Sequence, residues 1–186
     1  MALDPVLALV LRAAFALLFG AAAVHKLLDL AQFRRVLDLY LRGLGMGGGP
    51  ASRTLGPVVA IVTLAMELAT AVACCTPSAG DVAALLAIVV LLAYALAMAV
   101  NIQRGNTILD CGCHWGTARQ PVSLRLVARN GLLALAAAAM ALPIAARELG
   151  AIDRISIAAG VLMAALMYGA ANRLLNPDPS LGSTHS

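Results

Sequence analysis

The sequence predicts an all-α fold: a polytopic membrane helical bundle of about five transmembrane helices, with an interfacial amphipathic helix beside them. Three observations carry this reading. Of the 186 residues, 62% are hydrophobic and 12% charged, against an apolar share of about 45–50% in ordinary soluble domains. The apolar residues fall in runs of the roughly 20 residues that a helix needs to cross a hydrocarbon core about 30 Å thick. Aromatic residues make up only 4% while alanine is dense, which suits close helix contact through small side chains. Residues 1–175 are expected to form one membrane domain, with no room for a separate globular unit.

The first run, residues 5–28, opens with Asp4 placed as N-cap and Pro5 at the first helical position. It has no basic stretch ahead of it, carries Arg12 inside and exceeds a normal signal-peptide core, so a retained helix is expected. In "LAQFRRVLDLYLRGLG", about residues 30–44, Leu30, Phe33, Leu37, Tyr40, Leu41 and Leu44 recur at helical spacing. Gln32, Arg34, Arg35, Asp38 and Arg42 fall on the opposite face, the pattern of a helix lying in the headgroup plane. A helix packed on the bundle or on a partner would show the same pattern. "GMGGGP" ends it. Further runs cover residues 55–76, 81–102, 123–146 and 151–175. "CCTPSAGD" forms a tight hairpin with Asp81 as N-cap, and "QRGNTILDCGCHWGTARQPVS" a long polar loop over about residues 103–122. The tail at 176–186, "NPDPSLGSTHS", has a disordered composition.

Five spans place the amphipathic segment, the polar loop and the C-terminus on one side. That side holds Lys26, Arg34, Arg35, Arg42, Arg53, Arg104, Arg119, Arg125, Arg129 and Arg173, the other only Arg12, Arg147 and Arg154. Charge counting makes the loop side cytoplasmic, although several of these residues belong to helices and are weaker votes. The net charge of +4 reports membrane orientation and headgroup contact, and nucleic-acid binding is not expected.

"DCGCHWG", residues 110–116, concentrates the reactive side chains. Cys111 and Cys113 stand one glycine apart, near Arg104, Arg119 and Arg125, and positive surroundings favour thiolate over thiol. A disulfide closing so small a ring is strained, and strained exposed bridges exchange readily. A cycling dithiol is the preferred reading. A soft-metal site using Cys111, Cys113 and His114, with Asp110 adjacent, is the alternative. Closed zinc sites draw on two separated ligand pairs, and no second pair lies on this side. An inert docking loop is the third reading. Cys74 and Cys75 fall at the opposite membrane face, too far to pair with the loop, and read as small apolar packing residues or, less simply, a second redox or metal-relay pair. Glu67 sits mid-span, where an acid is costly. Its depth matches that of Arg12, so an ion pair between these two is expected. His25 and Lys26 are expected to snorkel to the interface, and Asn101, Arg129 and Asn130 to bond across helices near the loop.

"AMAVNIQRGNTILDCGCHWG" followed by "SLRLVARNGLLAL" resembles the MauE family of methylamine-utilisation membrane proteins. There a span runs into Arg-Gly, then an Asp-Cys-Gly-Cys loop, then Arg-Asn at the next helix. The stretches "RAAFALLFGAAAVHKLLDLAQFRRVLDLY" and "MELATAV" look like the wider DoxX-like group, so the likeness covers residues 8 to about 140. One departure is that His114 and Trp115 precede Gly116 where the family has Phe then Gly. The resemblance implies a multi-pass protein of the bacterial inner membrane. It implies a role in disulfide formation and maturation of an exported client such as the methylamine dehydrogenase small subunit. A thioredoxin-like, MauD-like partner is implied as well. No cofactor is implied. By position, Cys111 and Cys113 would be the redox pair, with Glu67, Arg104, Asp110, His114, Arg129 and Asn130 in support. That role favours a periplasmic loop, opposite to the charge count. Soft-metal transport, of copper or mercury, and non-catalytic assembly remain the competing functions.

Overall fold

The computed structural model describes residues 2–46, 50–105 and 123–175, and the side chains of all of these except 50–53 and 173–175. Among the described residues six α-helices follow one another: α1 Pro5–Leu28, α2 Leu30–Gly43, α3 Pro50–Cys75, α4 Gly80–Gln103, α5 Leu124–Ala138 and α6 Ala151–Leu175. A 3₁₀ turn, Ala139–Ala141, extends α5. Five stretches are long and apolar enough to cross a bilayer: Pro5–Leu28, Thr54–Cys75, Gly80–Gln103, Leu124–Ala141 and Ala151–Asn172. The described residues contain no strand, only a short parallel bridge between Leu3 and Ile144. The tail at 176–186 and all but the first residues of the polar loop, Asp110, Cys111, Cys113 and His114 included, lie outside the described residues.

Local chemistry sets the ends of these helices. Asp4 accepts the Val6 backbone N–H at 2.8 Å, and Pro5 follows in the first turn, as the sequence predicts. Helices α2 and α4 stop at Gly45 and Gly105, which take φ of +76° and +77°, the left-handed conformation that glycine adopts without a side-chain penalty. The fourth span is shorter than the expected 123–146. Pro143 has no N–H to continue the ladder and forces Leu142 into an extended conformation, so regular helix ends by Ala141 although the apolar run goes on. Asp81 is not the N-cap of α4. The helix starts at Gly80 after Ala79, and Asp81 occupies the first turn, where its charge still complements the helix dipole.

The core lies where α1, α3, α4 and α5 meet. Phe15 and Phe19 of α1 stack there against a floor of alanines, among them Ala83, Ala84 and Ala87 of α4 and Ala134 and Ala137 of α5. Helix α6 packs along α1, where Gly160 approaches so closely that a Cβ would sit 2.9 Å from Val10 Cγ2. It has no comparable packing on α5. Helix α2 lays Phe33, Val36, Leu37, Tyr40 and Leu41 inward and packs chiefly on α3, leaving Arg34, Arg35 and Arg42 exposed. It is therefore a helix docked on its own bundle, with a charged outer face.

The membrane end opposite the polar loop is closed by two arginines. Arg12, 6% exposed, donates from Nε to the Cys74 carbonyl at 3.1 Å and from Nη1 to the Pro77 carbonyl at 2.9 Å. Its Nη2 reaches the Ala73 carbonyl at 3.3 Å and also the Thr76 carbonyl. These acceptors belong to the end of α3 and the hairpin after it, where the helix dipole is negative; the Ala73 and Thr76 carbonyls also accept the Thr76 and Ala79 backbone N–H. Arg147 bridges Asp4 at 3.0 Å and Asp153 at 2.9 Å, tying the N-terminus to the start of α6.

Two expectations follow. Arg12→Leu strips a buried cluster of carbonyls and is expected to destabilise by about 2–4 kcal/mol, with Arg12→Lys recovering part; denaturant unfolding in detergent measures both. At the second clamp, Arg147 and then the Val6 amide hold the Asp4 carboxyl below the usual carboxylate range. A depressed folded pKa means that the clamp is fully formed above the unfolded value and lost as pH falls through the folded one, below about pH 4. The carboxyl carbon shift of Asp4 should therefore titrate low in the intact protein and move toward the ordinary range in Arg147→Ala, with the Val6 amide retaining part of the depression.

Candidate functional site

Glu67 is fully buried in α3, and Lys26 of α1 is 4% exposed. Lys26 Nζ donates to Glu67 Oε1 at 2.5 Å, and the Tyr94 hydroxyl of α4 donates to the same oxygen at 2.5 Å. Lys26 Nζ also stands 3.3 Å from the Tyr94 hydroxyl and 5.5 Å from the centre of the Phe33 ring of α2. One carboxylate thus gathers side chains from α1 and α4, with an aromatic lid from α2. An ion pair in so apolar a bundle is held by its partners or not at all, because either charge alone is costly there.

The expected Glu67–Arg12 pair is not formed, and Lys26 does not snorkel. Side chains on a helix lean toward its N-terminus. On α1 this carries Arg12 toward the hairpin end, onto the carbonyls of α3. On antiparallel α3 it carries Glu67 the other way, toward the loop end. Lys26, fourteen residues and about 21 Å further along α1, leans back to meet it. Depth did not match either: Gly20 of α1 stands opposite Ala71 of α3, so Arg12 and Glu67 lie on opposite sides of that contact, about 18 Å apart along the axes, while Lys26 is nearly level with Glu67.

A second polar group lies beside the first. Arg129 of α5 donates from Nη1 to Asn172 Oδ1 of α6, and its guanidinium stands 5.6 Å from the centre of the Tyr168 ring. Glu67, Tyr94, Arg129, Asn130 and Tyr168 line a common, partly open cavity of about 30 Å³, whose other walls include apolar side chains such as Phe19 and Leu133. Of the three residues expected to bond across helices, only Arg129 is seen to do so. The Asn101 and Asn130 amides donate within their own helices, to the carbonyls of Ala97 and Leu126.

Arg104 caps the end of α4 and donates to the Gly43 carbonyl at 2.8 Å, which fixes the start of the polar loop against the end of α2. Cys74 is buried in the core and Cys75 exposed, both at the far end of α3. The described residues hold no cluster of three His, Cys, Asp or Glu able to bind a metal ion. Sequence reasoning missed Tyr94, Tyr168 and Asn172. The last two stand four apart on one face of α6 among apolar residues, and that spacing was their only local signal.

Removing either charge of the buried pair is expected to cost about 3–5 kcal/mol, whereas replacing both together should recover most of the loss. Unfolding midpoints of Lys26→Met, Glu67→Leu and the double variant test this, and equal losses in all three would contradict it.

The family model described as methylamine utilisation protein MauE matches residues 4–143. Over 139 residues the chain is 39% identical to methylamine utilization protein MauE of Paracoccus denitrificans, covering 75% of this chain and 70% of that one. It is 37% identical to the Paracoccus versutus protein of the same name, over 89% and 83% of the two chains. With that of Methylophilus methylotrophus it shares 34% identity, over 92% and 87%. No solved structure matches the chain significantly.

Proposed function

The chain belongs to the MauE family and is a multi-pass membrane protein, and from that premise we propose that it is a membrane thiol–disulfide redox protein. It would serve disulfide formation in an exported client, such as the methylamine dehydrogenase small subunit, alongside a thioredoxin-like partner resembling MauD. The relatives' shared name supports the setting in methylamine utilisation. The single observation that carries the chemistry is the Cys111-Gly112-Cys113 spacing in a basic loop.

A Cys111 or Cys113 thiolate attacks one sulfur of a partner's disulfide, and a mixed disulfide forms while the partner's other sulfur leaves as thiolate. The second loop cysteine, deprotonated, then attacks the mixed bond and releases the partner's remaining thiolate. The partner gains two electrons and becomes a dithiol; the loop becomes the Cys111–Cys113 disulfide. Run in reverse, the same steps oxidise a client, and the net direction follows the two reduction potentials. Arg104, held at the loop's start by the Gly43 carbonyl, adds positive charge on the side of the thiolates.

The transmembrane bundle supports this reading as an anchor. Cys74 and Cys75 lie at the other end of the helices: α4 alone, 24 residues, puts about 36 Å between its ends. They are not partners of the loop pair in this scheme.

Cys111→Ser and Cys113→Ser, made singly in cells, are expected to trap a mixed disulfide with the partner, visible on non-reducing gels and lost on reduction. The double variant should leave the partner's redox state displaced from wild type. A normal partner redox state in the double variant would refute the exchange role. Stoichiometric copper(I) or mercury(II) binding that vanishes with the cysteines would instead favour the soft-metal reading, which His114 at the family's Phe position keeps chemically feasible.

A further inference from the structure

Two buried polar atoms have no hydrogen-bond partner among the described residues and belong to residues lining the same cavity: Glu67 Oε2 and Arg129 Nε. A carboxylate oxygen only accepts and a guanidinium nitrogen only donates, so the two would satisfy each other if they met. They do not form a pair; the space lies between α1, α3, α4, α5 and α6.

Volume decides what fits. The cavity measures about 30 Å³. A water needs roughly 10–15 Å³ and two to four polar partners, whereas a cavity that takes up benzene measures about 150 Å³. The space has room for one or two waters. Chemistry narrows it further. A halide would accept from Arg129 but would face the Glu67 carboxylate, a like charge. Water donates to one atom and accepts from the other.

We propose that this cavity is a hydration site in which water donates to Glu67 Oε2 and accepts from Arg129 Nε. The site joins two polar groups that otherwise stand apart. A continuous chain of hydrogen bonds then runs from Lys26 through Glu67, water and Arg129 to Asn172, crossing four helices. It gives α6, which packs along α1 and hardly touches α5, a polar attachment to the carboxylate at the bundle's centre. The inference is independent of what the cysteine loop does.

The test uses the full-length protein in lipid nanodiscs. With ¹⁵N-arginine labelling and Arg129→Lys for assignment, the Arg129 Nε–H resonance is expected to show a cross-peak with water. The cavity-filling Ala22→Val is expected to lower the thermal midpoint by about 2–4 °C, because it evicts the water and strands both polar atoms. A missing cross-peak together with a raised midpoint would mean a dry void and overturn the proposal. A wild-type midpoint that rises with chloride over gluconate at equal ionic strength would overturn it in favour of an anion. Should Ala22→Val fail to fold, the water cross-peak in the unaltered protein decides alone.

Discussion

The architecture depends on one carboxylate. Glu67 is fully buried in an apolar bundle, and an acid there is tolerated only with its charge matched. Meeting that demand draws Lys26 of α1 and Tyr94 of α4 to the same oxygen, which fixes the rotation and height of three helices relative to one another. Small-residue packing cannot do this by itself. An interface of alanines is nearly the same after a helix slides or turns by one residue, whereas a buried ion pair is not. Register is the best-attested use of buried polar groups, and here it explains why so costly an interaction is kept.

The remaining charges follow from backbone bookkeeping at helix ends. Carbonyls at the end of α3 and in the hairpin after it lie where the helix dipole is negative, and Arg12 supplies donors to four acceptors there. Arg104 does the smaller equivalent at the end of α2. At the loop end, α2 sits over the buried pair through Phe33 and Lys26. Its apolar face therefore acts as a lid on the polar centre, and its arginines are left outward, where headgroups can meet them.

Spans, the Asp4 cap and the amphipathic helix were legible in the sequence because each is written in local spacing, whereas the expected Asp81 cap was not formed. Asp4 and Pro5 mark the start of α1, and the period of Phe33, Leu37, Tyr40 and Leu41 marks the inner face of α2. The partnership of Glu67 was not legible by the rule applied to it. Counting residues from the hairpin face treats the ends of α1 and α3 as level, whereas α1 is shifted along α3: Gly20 stands opposite Ala71, which brings Lys26, not Arg12, to the height of Glu67. The end of α5 was misplaced for a different reason: composition continued past the point where Pro143 stops the ladder. Tyr168 and Asn172 were missed because their partner, Arg129, is on another helix, and no period within α6 encodes that. Asp110, Cys111, Cys113 and His114 remain a sequence-level reading.

The placement of the polar centre bears on the proposed exchange chemistry. Lys26 and Glu67 cancel each other's charge at 2.5 Å, whereas the partners of Arg129, the Asn172 amide and the Tyr168 ring, are neutral. Charges already matched to local partners project little field to a distance, and thiolate stabilisation needs a cation close by. Arg104 is likewise bonded to a neutral group, the Gly43 carbonyl, so its charge is not cancelled either, and it caps α4 where the loop begins. Of the described basic residues named in support of the cysteine pair, it is the one that stands at the loop's start, whereas Arg129 lies six residues past the Ser123 N-cap of α5, about 9 Å along that helix. Glu67 and Arg129 then support such a reaction indirectly, by fixing the helices from which the loop departs and to which it returns.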